Sequence, residues 1–224
     1  MKNKILALLL LGSAFLISCD SSDQAHEEPP QEEPLKILVI GNSITRHGAA
    51  PDIGWYGEWG MAASAPDKDF CAIVESTTGG TLEKLRAGNW EVNFEYDQLS
   101  EATMKDPDVL IVELGENVTL STPEMEADYE IKIVQLVNKY RQQNTKVLLI
   151  SNFWYDVKKD SIENRTCQNN NYTFIDISEL NTGSDYEQYM AIEEYGHTGV
   201  GIHPNDLAMQ IIANKILNAI NQAN

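Results

Sequence analysis

Short runs of apolar residues, rich in Val and Ile, recur along the chain between polar stretches that contain Gly, Asn and Ser. Four runs lie at residues 36–40, 71–75, 109–114 and 147–150, and a weaker fifth lies at 173–177. Runs this short that are apolar at nearly every position are typical of strands buried on both faces, as in a parallel sheet. We therefore expect them to form a mostly parallel sheet that is covered by helices.

Two longer segments carry apolar residues at helical spacing and are expected to supply part of that cover. Residues 123–143 place such side chains three or four positions apart, with Thr122 as a candidate N-cap, and residues 204–220 carry a similar stripe. This alternation predicts an α/β fold, a three-layer α/β/α sandwich. In such a sheet, ligands bind beyond the carboxyl ends of the strands.

The acidic composition limits the classes of partner. The 224 residues include 34 Asp and Glu against 16 Lys and Arg, a formal net charge of −18. Nucleic-acid binding needs a basic face, so that class is excluded as the default. With 42% hydrophobic residues the chain can bury a sizeable core, and its length fits one globular domain.

The amino terminus is typical of a secreted protein. Lysines precede an apolar run at 5–17, too short to span the roughly 30 Å of a bilayer core, and Cys19 follows Leu-Ile-Ser. This layout resembles the bacterial lipoprotein box, which implies a signal peptide at 1–18, a lipidated Cys19 and a membrane-anchored protein of the cell envelope, on its periplasmic or surface-exposed side. An ordinary signal peptide cut near Ser18 is the alternative.

Residues 19–34 are predicted to form a tether. The segment is rich in acids and prolines, cannot bury apolar area and is expected to be extended. Residues 20–23 also resemble the acidic export tags of some surface lipoproteins, with a solvated spacer as the alternative. The folded domain is expected at 35–224.

Polar residues that can do chemistry follow the predicted strands. Their positions, in chain order, are Ser43 in a Gly-Asn-Ser turn, Gly79 and Gly80, Asn117 in a Gly-Glu-Asn turn, and His203 beside a proline. One such turn is weak evidence, because Gly, Asn and Ser form turns readily. Four turns that supply Ser, Gly, Asn and His in this order are far more specific.

This order of residues resembles the SGNH or GDSL hydrolase family, which is named after it, over residues 35–220. The resemblance implies a flavodoxin-like α/β/α sandwich and an esterase or lipase activity; many members remove acetyl groups from polysaccharides. It implies a serine esterase acting on an acylated glycan or small ester, without cofactor or metal. A non-catalytic glycan-binding lipoprotein on the same scaffold is the alternative.

Ester hydrolysis assigns a role to each of these residues. Ser43 would attack the carbonyl after a base takes its proton, and His203 is the candidate base. The oxyanion would be held by the N–H of Ser43, the N–H of Gly79 or Gly80, and the side-chain amide of Asn117. Glycine lets the backbone approach the oxyanion closely.

Two positions depart from the family pattern. Asn42 stands where Asp is usual, and because that residue neither attacks nor carries a proton, we expect the chemistry to survive. Val200 stands three residues before His203, where the family has the acid of its triad. A backbone carbonyl near 199–201 could fix the imidazole tautomer and give a Ser-His dyad. Asp206 is the alternative acid, although its position at a helix start is typical of a cap.

Aromatic residues near the strand ends are candidates for substrate binding. Trp55 and Tyr56 lie in the loop after Ser43, and Trp154 follows the fourth predicted strand. Their rings could stack on sugars, and packing between long loops is the alternative.

The remaining histidines and cysteines have structural interpretations. His47 is expected at a helix surface, with the pocket wall as the alternative, and His197 lies in the loop of His203 and could replace it as base. Cys71 and Cys167 either form a disulfide or remain small buried thiols.

Overall fold

Five strands form the sheet of this protein, whose computed structural model describes residues 33–95 and 101–222. The strands are β1 (Lys36–Gly41), β2 (Thr81–Arg86), β3 (Val109–Glu113), β4 (Lys146–Ile150) and β5 (Thr173–Ile175). They are all parallel, in the order β2-β1-β3-β4-β5. The chain leaves β1 toward one edge and later returns to its other side, so the carboxyl ends of β1 and β3 form a topological switch point.

Helices lie on both faces of the sheet. They are α1 (Phe70–Thr78), α2 (Trp90–Asn93), α3 (Pro123–Tyr140), α4 (Val157–Asn170), α5 (Glu179–Thr182), α6 (Thr198–Gly201) and α7 (Asp206–Asn221), with 3-10 turns at Pro51–Ile53 and Tyr186–Tyr189. Residues of α1 and α7 share one core with the sheet, and residues of α3 and α4 share the other. The predicted three-layer α/β/α sandwich is confirmed.

Strand β1 shows why its sequence is apolar throughout. Ile37 and Val39 face the core built by α1 and α7, whereas Leu38 and Ile40 face the core built by α3 and α4. Each of these side chains is essentially inaccessible to solvent. Burying each contributes about 1.5–3 kcal/mol, so a polar side chain at any of these four positions would be unfavourable.

Helix α3 has the limits that its sequence predicts. Thr122 is the N-cap, and its hydroxyl accepts a hydrogen bond from the N–H of Met125. Pro123 occupies the first helical position, where no N–H is needed. The buried stripe consists of Tyr129, Ile133, Leu136 and Val137. In α7 the cap is Asn205, whose side chain accepts from the N–H of Ala208.

The prediction of a strand at 71–75 is wrong, because these residues belong to α1. The carboxylate of Asp69 caps this helix by accepting from the N–H of Ala72, and the buried residues Phe70, Cys71 and Val74 recur at helical spacing. A five-residue apolar run does not distinguish a buried strand from a buried helix turn. The true second strand, β2, lies at the edge of the sheet. Four of its six residues are polar, and only Leu85 is fully buried.

Cys71 and Cys167 are free, buried thiols and do not form a disulfide. They lie in different cores, on opposite faces of the sheet, so the sheet separates them.

The predicted signal peptide, Cys19 and all but the last two residues of the predicted tether lie outside the described residues. The described residues from Pro34 onward belong to one compact unit. In residues 33–95 and 101–222, no helix is both long enough and apolar enough to cross a membrane.

Gly41 ends β1 where space is tightest. A Cβ at this position would lie 1.8 Å from Oγ1 of Thr45 and 2.9 Å from Oε2 of Glu113. We expect Gly41→Ala to lower the free energy of unfolding by about 1–3 kcal/mol, because the side chains of the switch point would have to move. Chemical denaturation measures this change.

Gly88→Ala is the matched control, since a Cβ there would meet nothing within 4 Å. We expect a change within about 0.5 kcal/mol, because this half-buried position has room for the added methyl group. Equal destabilisation by both substitutions would contradict the steric explanation.

Candidate active site

The turn after β1 presents Ser43 at the switch point. Asn42 is fully buried, and its Oδ1 accepts from the N–H of Ile44 at 2.9 Å, which tightens the turn around Ser43. The carbonyl of Ser43 accepts from the N–H of Met61, so the following loop folds back against the turn. The serine therefore has a fixed backbone and a half-buried side chain.

His203 lies beside Ser43 although 160 residues separate them in the chain. Nε2 of His203 is 2.9 Å from Oγ of Ser43, a hydrogen-bond distance. The ring of Trp154 packs edge-on against the imidazole, with centroids 4.9 Å apart, and its Nε1 donates to the carbonyl of Ile202. The structure thus brings together the predicted nucleophile and its predicted base, and Trp154 fixes the base.

Within residues 33–95 and 101–222, no carboxylate bonds to the imidazole of His203. Val200, at the position of the family's acid, is completely buried against Trp55, Met61 and other apolar residues. Among the described residues, Nδ1 of His203 has no hydrogen-bond partner of ordinary geometry. Burial lowers the pKa of His203 to about 4, and the carbonyls of Gly199 and Val200 act in the opposite direction. These carbonyls are the polar groups that favour a proton on Nδ1.

Asp206 is engaged elsewhere. Its carboxylate accepts from the N–H of Ser64 at 2.8 Å and from the hydroxyl of Ser64 at 2.6 Å. It therefore ties the start of α7 to the loop after Ser43. The expectation that Asp206 caps this helix is wrong, because Asn205 does so.

The predicted oxyanion donors Gly79 and Gly80 lie at the wrong edge of the sheet. Gly79 ends α1 with a φ of 65°, and Gly80 packs against Leu35, just before β1 and β2 begin. Ser43 follows the opposite, carboxyl end of β1, so neither glycine reaches it. The error follows from taking 71–75 as a strand.

Gly88 is the glycine that the fold places at the correct edge. It follows β2, and the N–H of its neighbour Ala87 donates to the carbonyl of Gly41 at 2.6 Å. The sequence signal for a strand end here is the Gly-Asn turn at 88–89, because residues 81–86 carry only two apolar side chains, Leu82 and Leu85.

Asn117 does lie at the edge where β1 and β3 end. Its Nδ2 donates to Oε2 of Glu91 at 2.7 Å, and the same carboxylate accepts from the N–H of Gly115 at 2.6 Å. Gly115 has a φ of 141°, and a Cβ there would lie 2.4 Å from the side chain of Asn152, so only glycine fits this turn. Asn42 also donates to Glu91, which links Asn117 to the turn of Ser43.

Buried carboxyl groups lie beneath the candidate site. Burial, with the charge of Glu116, raises the pKa of Glu91 to about 7, and the same causes raise the pKa of Glu113. Burial also raises the pKa of Glu116, which accepts from Nδ2 of Asn42 at 2.6 Å. Among residues 33–95 and 101–222, no group of three or more His, Cys, Asp and Glu side chains could hold a metal ion.

The three predicted aromatic residues differ in accessibility. Trp55 is only 2% exposed and packs against Trp59 and Tyr195, so it cannot stack on a substrate, and that prediction is wrong. Tyr56 is 73% exposed, and Trp154 is partly exposed beside His203. Trp55 is buried because it packs in an apolar cluster with Met61 and Val200, which belong to two different loops.

The other histidines do not replace His203. His47 is half-buried, its Nδ1 lies 2.6 Å from the carbonyl of Gly48, and its charge lowers the pKa of His203, so it lies near the site. His197 is exposed and precedes α6, whose first turn bonds to its carbonyl. Ser43 is bonded to His203 alone among the histidines that the structure describes.

Comparison with known proteins identifies the fold. No protein-family model matches the chain, and no curated protein matches its sequence. Among solved structures, a two-domain esterase active on acetylated mannans has a TM-score of 0.53 and 19% identity, over 84% of this chain and 49% of that one. The chain thus spans about half the length of that esterase.

Two further solved structures share the same fold. A carbohydrate esterase whose active site displays divergent catalytic and non-catalytic binding functions has a TM-score of 0.57 and 14% identity, over 87% of this chain and 70% of that one. A protein assigned to the lipolytic G-D-S-L family, from Desulfitobacterium hafniense, has a TM-score of 0.51 and 14% identity, over 82% and 98%. The chain therefore has the fold of the SGNH or GDSL hydrolases, as its sequence predicts.

Proposed function

We propose that this protein is a serine esterase that removes an O-acetyl group from a carbohydrate. The observation that carries the proposal is the 2.9 Å contact between Oγ of Ser43 and Nε2 of His203. This pair of side chains lies at the carboxyl edge of a parallel sheet, where ligands of this fold class bind. A serine hydroxyl with an imidazole at this distance is the arrangement of an activated nucleophile.

The reaction proceeds through an acyl-enzyme. Nε2 of His203 takes the hydroxyl proton while Oγ of Ser43 attacks the ester carbonyl, and the protonated imidazole then gives that proton to the departing sugar oxygen. Water next attacks the acetyl-serine, with His203 again taking and returning a proton. Acetate and the free sugar hydroxyl are the products, and Ser43 is restored.

A backbone-assisted dyad replaces the triad in this proposal. Nε2 can accept the proton only when Nδ1 carries the other ring proton. The carbonyls of Gly199 and Val200 favour that tautomer, and burial keeps the free imidazole neutral because it lowers the pKa of His203 to about 4. A neutral imidazole is the form that acts as a base.

Three donors would stabilise the oxyanion. They are the N–H of Ser43, the side-chain amide of Asn117 and the N–H of Gly88, which takes the role that the sequence assigned to Gly79 or Gly80. Loss of one such donor typically reduces kcat by about 100- to 1000-fold.

A neutral acetylated glycan is the proposed substrate. Two of the solved structures that share the fold are carbohydrate esterases, one of them active on acetylated mannans and also crystallised with mannopentaose. In this chain, Tyr56 and Trp154 offer accessible aromatic surface, and the formal charge of −18 disfavours an anionic polymer.

The lipid anchor remains part of the proposal. Cys19 follows Leu-Ile-Ser after a short apolar run, which supports lipidation and a place in the cell envelope. Residues 19–34 would then hold the esterase away from the membrane surface.

A non-catalytic glycan-binding protein is the second candidate. It is motivated by Val200, which removes the acid of the triad. The contact between Ser43 and His203 favours catalysis, because binding alone requires no such pair.

Acetate release from acetylated polysaccharides tests the proposal. We expect the purified protein to hydrolyse an aryl acetate and to release acetate from acetylated mannan, and Ser43→Ala to lower kcat by at least about 10,000-fold, since the nucleophile is lost. Ser76→Ala is the matched control, because the Ser76 hydroxyl bonds only within α1, to the carbonyl of Ile73. Glycan binding without Ser43-dependent acetate release would establish the second candidate instead.

Asp206→Asn tests whether Asp206 serves as the acid of a triad or whether Ser43 and His203 act as a dyad. Because Asp206 bonds Ser64 and not His203, we expect kcat/KM for the aryl acetate to fall by less than about tenfold. A fall near 10,000-fold, the size expected when a triad acid loses its charge, would refute the dyad.

A further inference from the structure

The carboxylate of Glu91 joins the ends of three strands. Glu91 lies in α2, just after β2, and only 1% of it is exposed. Its Oε1 accepts from the N–H of Gly115 at 2.6 Å and from the N–H of Asn117 at 3.4 Å, and its Oε2 accepts from Nδ2 of Asn117 at 2.7 Å. Nδ2 of Asn42, after β1, donates to Oε1 at 3.4 Å.

All four of these contacts are N–H groups that point at the carboxylate. An ionised carboxylate only accepts hydrogen bonds and has about four lone-pair sites, so it matches this set of donors. A glutamine would turn an NH2 group toward one or two of the same donors. The geometry of the cradle therefore selects the ionised acid.

None of the salt bridges of the described residues includes Glu91. The groups that face it are acidic or neutral: Glu116 beyond the end of β3, Glu113 in β3 and Tyr129 in α3. The nearby cation Lys159 of α4 is engaged with the backbone, because its Nζ donates to the carbonyls of Gly115 and Glu116. Burying a carboxylate among other acids costs free energy, which the four N–H contacts offset in part.

We propose that ionised Glu91 is a positioning residue that aims the amide of Asn117 at the oxyanion. One hydrogen of Nδ2 is held by Glu91, which leaves the second hydrogen for donation to the oxyanion. The bond to Gly115 holds the backbone of the same turn. The inference rests on the proposed esterase function and adds a residue outside the Ser, Gly, Asn and His set.

The ionised state of Glu91 makes this role dependent on pH. Burial and the charge of Glu116 raise the pKa of Glu91 to about 7, so the carboxylate is lost as the pH falls through about 7. The pKa of His203 is lowered to about 4 by burial, so the base remains neutral well below that range. If Glu91 positions Asn117, kcat should decline at acidic pH with a midpoint near pH 7. If only the protonation of His203 matters, the decline should have its midpoint near pH 4.

The test is a pH profile of the full chain with an aryl acetate. We expect the wild-type kcat to fall as the pH drops through about 7 and to level off about 10- to 100-fold lower, at the activity of the enzyme with neutral Glu91. Glu91→Gln is expected to lower kcat at pH 8 by about 10- to 100-fold, less than outright loss of an oxyanion donor, with KM within about twofold. Its profile should lack the limb near pH 7 and keep only the one near pH 4.

A double-mutant cycle distinguishes positioning from a general loss of structure. Asn117→Ala removes the amide that Glu91 aims, so adding Glu91→Gln to it should cost less than about threefold more. Glu83→Gln is the matched control, because that carboxylate also holds a loop, through Thr103 and Met104, away from the site. It should leave kcat and the profile unchanged. If Glu91→Gln does not fold, Asn117→Ala alone must lose the limb near pH 7.

An NMR titration separates this inference from the proposed function. In the wild-type chain, the backbone amide of Gly115 and the side-chain amide of Asn117 should titrate with a midpoint near pH 7, and in Glu91→Gln they should not. Titration without ester hydrolysis would sink the esterase proposal while the contact of Glu91 stands. A hydrolysing enzyme whose Glu91→Gln variant keeps the limb near pH 7 would overturn the inference.

Discussion

The position of β1 between β2 and β3 is the constraint on which the site depends. Because all five strands are parallel, their carboxyl ends meet at one edge, and the reversal of strand order at β1 opens a crevice there. Ser43 leaves β1, Glu91 follows β2 and Asn117 follows β3 at this edge. His203 comes from the loop before α7, and the packing of that helix on the sheet delivers it.

Burial acts in opposite directions on the base and on the acids of this region. It disfavours any charge, so it lowers the pKa of His203 to about 4 and raises the pKa of Glu91 to about 7. Hydrogen bonds decide how each group is used: the carbonyls near His203 favour its neutral Nδ1–H tautomer, and the N–H groups around Glu91 favour its ionised form. A low-dielectric crevice can thus hold a neutral base and a charged acid at the same pH.

Sequence patterns located the parts whose local signal is strong. The inner strands are apolar throughout, α3 has a cap and a stripe, and Ser43, Asn117 and His203 follow in a recognisable order; the structure brings the serine and the histidine together. Sequence patterns do not reveal β2, because this edge strand is partly exposed and most of its residues are polar. Helix α1 instead contains the apolar run that is typical of a buried strand. That error moved the predicted oxyanion glycine from the carboxyl edge to the amino edge. Trp55 was taken for a binding residue because composition does not reveal which loop covers which.

The amino-acid pattern alone predicts the layer architecture, the direction of the strands and the candidate nucleophile and base, because burial on two faces and turns at strand ends leave periodic, local marks. Only the tertiary structure decided which partner each polar group takes. Asp206 bonds Ser64, carbonyls face His203, and Glu91 gathers the ends of β1 and β3. These contacts join residues far apart in the chain, and their distances are set by the packing of whole strands and helices, which no local pattern records.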